Sequence, residues 1–74
     1  MQDLKTFKGY PVLRMRERAE SGDYVILVDR GEDAHQRNRY VTGRINDHSL
    51  QFAEWYWGHY FESLDEALED FYAR

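Results

Sequence analysis

The chain has 74 residues, 16% of them aromatic, no cysteine and a formal net charge of −4. That length makes one small domain, near the lower limit at which a single core holds a chain folded. Without cysteine there is no disulfide framework and no thiolate zinc site, so stability must come from packing. No run reaches the ~18–20 apolar residues of a membrane span. The polar start, Met1-Gln2-Asp3-Leu4-Lys5, lacks a signal peptide's apolar stretch. The expectation is a soluble, cytoplasmic protein.

Charge is unevenly spread: residues 1–20 carry a net +2, residues 21–53 a net −1 and residues 54–74 a net −5. The expected molecule is polarised, with a basic strand region and an acidic helix. A phosphate-backbone binder is usually basic overall, so the whole-chain charge weighs against that class.

Residues 1–9 are weakly patterned. Leu4 and Phe7 fit either a short helical turn or an extra edge strand, and Gly9-Tyr10-Pro11 reads as a break. From Val12 to Glu20 the pattern alternates, Leu13 and Met15 on one side and Arg14, Arg16 and Arg18 on the other. After the turn signal Ser21-Gly22-Asp23, the run Tyr24 to Val28 is continuously apolar, the mark of a strand buried on both faces. Arg30 to Asn38 reads as a long hairpin loop, and Arg39 to Asn46 as a further alternating strand. Asn46 to Ser49 is a turn, followed by an aromatic strand, Glu54 to Phe61. Ser63 then opens a helix, with Glu66 at the capping-box position and Asp65 and Glu66 at the positive end of the dipole. Leu64, Ala67, Leu68 and Phe71 fall on one helical stripe.

These elements predict a single α+β domain over residues 1–74: a four-stranded antiparallel meander with one C-terminal helix on one face. The expected core is Leu27, Val41, Ile45, Trp55, Trp57, Phe61, Leu64, Leu68 and Phe71, with Gly43 making room for an indole. The other face is then open, lined by Tyr40, Thr42, Arg44, Tyr56 and Tyr60 beside Arg14, Arg16 and Arg18. This assignment depends on register, because a one-residue slip exchanges the faces.

Tyrosines interleaved with arginines suit a protein interface, where both are favoured anchors, and also single-stranded nucleic acid, where they stack bases. The acidic residues Glu62, Asp65, Glu66, Glu69 and Asp70 form a second candidate surface, facing a basic partner or simply solvent. His35 and His48 stand near carboxylates without any metal-ligand spacing, and the serines have no recognisable base partner. No cofactor, no metal and no enzymatic activity are expected.

The segment Trp57-Gly58-His59-Tyr60-Phe61-Glu62-Ser63-Leu64-Asp65-Glu66-Ala67-Leu68 resembles the end of HicB-type antitoxin domains, where a strand runs into a helix opened by Ser/Thr-Leu-x-Glu-Ala. The likeness covers about a dozen residues and is a strand–cap–helix signal common to many folds. The preceding strands lack that family's proline- and glycine-containing segment. In size and acidity the chain is also similar to small accessory proteins of phages and mobile elements, inhibitors of bacterial defence among them. The expected function is non-enzymatic binding of another macromolecule, in first place a protein. A homodimer, a single-stranded nucleic acid and an antitoxin-like pairing are the alternatives.

Overall fold

A computed structural model of the chain describes residues 4–18, 22–31, 38–46 and 54–74. Most of the expected long loop, the turn after Asn46 and Ser21 lie outside these residues. The elements are β1 (Thr6–Phe7), β2 (Tyr10–Glu17), β3 (Tyr24–Asp29), β4 (Tyr40–Ile45), β5 (Tyr56–Phe61) and α1 (Leu64–Ala73). The strands form one antiparallel sheet in the order β1-β2-β3-β4-β5. The α+β class and the C-terminal helix are as expected, but the sheet has five strands instead of four.

The extra strand is the edge-strand alternative for Leu4 and Phe7. Lys8 and Gly9 both have positive φ, 55° and 82°, which is what a two-residue type I′ hairpin requires. The turn aligns Phe7 with Tyr10 and Thr6 with Pro11. Phe7 is buried, 5% exposed, so the hairpin is anchored by its side chain more than by its two residue pairs. Of the expected break at Gly9-Tyr10-Pro11, Gly9 lies in the turn, while Tyr10 and Pro11 already start β2, where Pro11 is tolerated at the sheet margin.

β3 is the middle of the sheet, and Val25, Ile26, Leu27 and Val28 are all fully buried, as their unbroken apolar run predicts. Val25 and Leu27 face the helix, packing with Ala67 and Phe71 and with half-buried Leu13, Tyr40, Phe61 and Leu68. Ile26 and Val28 face the other way, packing with Phe7, Val41 and Ile45 and with half-buried Leu4, Tyr10, Val12, Met15, Tyr24 and Trp55.

The predicted parity is therefore wrong on β4. Val41, Ile45 and Trp55 belong to the core but on the face away from α1, while Tyr40 and Thr42 lie on the helix face. Alternation alone could not choose, because both faces of the sheet are buried and either parity puts apolar side chains inside. Two bulges add to the error. In β2, Val12 pairs with Val28 and Arg14 with Leu27, so Leu13 is an extra residue and ends on the face opposite to Met15. In β5, Trp57 and Gly58 together oppose Gly43, and Trp57 takes a left-handed φ of 51°. Trp55 and Trp57 thus do not share an environment. Trp57 is 69% exposed and is no part of the core, and Leu64, 38% exposed, sits at its margin at the start of α1.

In a flat sheet β1 and β5 would stand about 19 Å apart, at the usual strand spacing. Yet the Phe7 and Trp55 rings are 6.1 Å apart, and the Lys8 ammonium lies 4.7 Å from the Trp55 ring centre. The sheet is curled, and these rings close its concave side. Gly43 permits it: a Cβ there would stand 2.9 Å from the Trp55 Cβ. The expected glycine slot for an indole exists, and Trp55 fills it.

Phe7→Ala should lose about 3–5 kcal/mol, the range for truncating a buried phenylalanine. Urea unfolding of the purified variant measures it. An unchanged midpoint would remove Phe7, and β1 with it, from the core.

Candidate functional site

α1 begins at Ser63, whose hydroxyl accepts from the Glu66 N–H. The helix then runs back across β4 and β3 and ends near the start of β5. No basic residue lies in its last turn; the Asp70 carbonyl accepts from the Arg74 N–H at the C-cap, and the Phe71 carbonyl is satisfied from the sheet. Arg16, on β2, donates from Nε and Nη2 to the Phe71 carbonyl at 3.3 and 3.0 Å and lies 5.5 Å from that residue's ring centre.

One carboxylate ties the helix to the sheet. Asp70 Oδ2 accepts from the Thr42 hydroxyl, from His59 Nδ1 at 2.9 Å and from Arg74 Nε at 3.1 Å. Burial pushes the Asp70 carboxyl up, but the bonds from Thr42, His59 and Arg74 outweigh it and hold the group below the usual aspartate value. The Thr42 hydroxyl is spent on the carboxylate and not on the imidazole, so the three side chains tie α1 to both β4 and β5.

Arg74 also donates to the Trp57 carbonyl, which fixes the left-handed residue from behind. The Arg44 guanidinium lies 4.6 Å from the Trp57 ring centre. Arg44 is held in turn by Asp23, at 2.9 Å, which also meets Arg18 at 3.5 Å. Tyr56 stands beside Trp57, ring centres 6.4 Å apart. Tyr72, on the last turn of α1, is 65% exposed and packs edge-on against Phe71. One end of the molecule therefore gathers Trp57, Tyr56, Arg44, Arg18 and the C-terminus of α1.

The expected open Tyr/Arg face is not one surface. Arg16 and Tyr40 pack with the helix. Arg14 is exposed on β2, reaching the Leu13 carbonyl at 2.8 Å. Tyr60 is exposed on the far side, its hydroxyl accepting from Trp55 Nε1 at 3.3 Å. Of the expected Tyr/Arg face, Arg18, Arg44 and Tyr56 come together, around Trp57, which the alternation assigns to the core. On the acidic helix Glu62, Asp65, Glu66 and Glu69 are exposed, but Asp70 is turned inward. Among the described residues no group of three or more His, Asp or Glu is placed to hold a metal ion. Nor is any helix among them long and apolar enough to cross a membrane.

The signal for the missed site was Gly58, since a glycine inside a strand often marks a bulge. No spacing rule could have paired Asp70 with Thr42 and His59, which are distant in sequence.

A carboxyl held low in the fold confers stability that is complete above its unfolded value, 3.8, and that is lost as pH falls through the lower folded value. Asp70→Asn should therefore cost about 1–3 kcal/mol at neutral pH, the range for breaking buried hydrogen bonds. It should also flatten the loss of stability in acid. Asp29 is held low too, chiefly by its bonds from Arg39, so part of the acid sensitivity should survive. Urea titrations of parent and variant from neutral pH into acid measure both effects, and parallel pH curves would remove Asp70 from this role.

No protein-family model, curated protein or solved structure matches this chain.

Proposed function

We propose that this chain is a non-enzymatic binding module for another protein, with Trp57 as its anchor. The observation that carries the reading is the conformation of Trp57. A bulky aromatic in the left-handed region is strained by about 1–2 kcal/mol, and here it is also 69% exposed. Neither strain nor exposure helps this chain fold. Both present an indole to a partner, and tryptophan with neighbouring tyrosine and arginine is the usual composition of an interface hot spot. Arg44 backs one side of the ring, and the ion pairs Arg44–Asp23 and Arg18–Asp23 supply a polar rim.

A stacked nucleobase is the second reading, favoured by the indole backed by a guanidinium. Charge decides against it. Arg44 and Arg18 share Asp23, Arg74 is paired with Asp70, and the outer side of α1 is acidic, so a phosphate chain meets little net attraction.

Trp57→Gly should unfold no earlier than the parent, because glycine adopts a φ of 51° without strain. The same variant should lose capture of a partner from a native lysate, whereas Tyr60→Ala keeps it. Trp57 emission should be indifferent to mixed single-stranded oligonucleotides at low salt. Capture that survives Trp57→Gly, or emission quenched by oligonucleotide and restored by salt, would overturn the assignment.

A further inference from the structure

β2 has eight residues, yet β1 pairs only with its first two, and one further bond runs from the Val12 N–H to the Lys5 carbonyl. From Leu13 to Glu17 no strand lies along the outer edge of β2 among the described residues. An edge of this kind presents backbone donors and acceptors to any extended chain that reaches it. Beside it is an open cleft of about 400 Å³, lined by Leu4, Lys5, Val12, Leu13, Arg14 and Met15. That volume is toward the small end of ligand pockets, ~300–1,000 Å³.

Local structure explains the cleft. The Leu4 N–H points at the Met15 sulfur, 3.4 Å away, which draws the chain before β1 across β2 and makes one wall. The bulge at Leu13 interrupts the regular pleat and brings Val12, Leu13 and Arg14 to the same opening. Four lining residues are apolar and two are cations. Neither Lys5 nor Arg14 is in an ion pair among the described residues. Arg18, Arg39, Arg44 and Arg74 each meet a carboxylate, whereas Lys8, Arg16 and Arg30 lie against aromatic rings.

We propose that this edge receives an extended acidic segment of a partner protein, added to the sheet as a strand along β2. An apolar side chain of the segment sits against Val12 and Leu13, beside the Leu4–Met15 contact, and its carboxylates meet Lys5 and Arg14. A strand alternates its side chains, so an acidic–apolar pattern fits a cleft with an apolar floor and a cationic rim. A polyphosphate backbone lacks the amides that the β2 edge would bind, and the net charge of −4 repels it. The opposite edge of the sheet is less suited, since its Trp57 carbonyl is taken by Arg74. This site lies on the other side of the sheet from Trp57 and stands without it.

The test is a titration of isotope-labelled protein with a capped, alternating glutamate–valine peptide of about six residues, ordinary strand length, followed by amide chemical shifts. Shifts should concentrate at Leu4, Lys5, Leu13 and Met15, and salt should weaken the binding. Joint Lys5→Glu and Arg14→Glu should weaken it at least about tenfold, because like charges then face each other. Trp57→Gly should leave it unchanged, which separates this site from the proposed function. A peptide N-methylated at its valines should not bind, nor should the lysine–valine counterpart. Absence of shifts at millimolar peptide, shifts centred on α1, or equal binding of the N-methylated peptide would each overturn the proposal.

Discussion

A sheet with both faces buried needs two covers, and this chain has one C-terminal helix among its described elements. That constraint shapes the rest. Val25 and Leu27 are covered by Ala67 and Phe71, but Ile26, Val28, Val41 and Ile45 must be covered from within the sheet. The solution is curvature. The β1 hairpin brings Phe7 over the concave side, and Trp55 meets it from the far edge across Gly43. Curvature of this degree is introduced by bulges, and there is one toward each edge, at Leu13 in β2 and at Trp57 in β5.

Both proposed binding surfaces are products of those bulges. The β5 bulge separates the two tryptophans: Trp55 goes into the core and Trp57 is left outside, held by Arg74 behind and Arg44 on its ring. The β2 bulge brings Val12, Leu13 and Arg14 to the cleft beside Leu4 and Met15, where β1 stops short. The two surfaces lie toward opposite edges and differ in chemistry, one an exposed indole ringed by paired charges, the other an apolar floor with two cations that are in no ion pair among the described residues. A domain of this size has little stability to spare.

The sequence was legible where one physical rule dominated. The unbroken run of β3 has a single reading, burial on both faces, and the Ser63 cap with its acidic first turn and apolar stripe specifies a helix. The slot at Gly43 was visible because only glycine leaves room for an indole against a strand. Face assignment failed where two rules gave equal answers. Tyr40, Thr42 and Arg44 read as a solvated set only if the opposite face is the sole core, and here both faces are. Bulges then broke the parity inside a strand, which is why Leu13 and Met15, or Trp55 and Trp57, looked alike in sequence and part company in space. β1 was hard to see for another reason. Two residues carry no period, and its evidence is tertiary, the burial of Phe7.

Electrostatics link the fold to its surface. The acidic α1 looks, in sequence, like a charged outer side, and for Glu62, Asp65, Glu66 and Glu69 it is. Asp70 departs from that set because its position on the helix turns it toward Thr42 and His59, where a carboxylate with three donors is worth more than a solvated one. Through Arg74 the same carboxylate reaches the Trp57 carbonyl, so the tie that docks the helix also braces the strained residue. Arg74 thus joins the carboxylate that docks the helix to the backbone of the bulged residue in β5, and one side chain serves both.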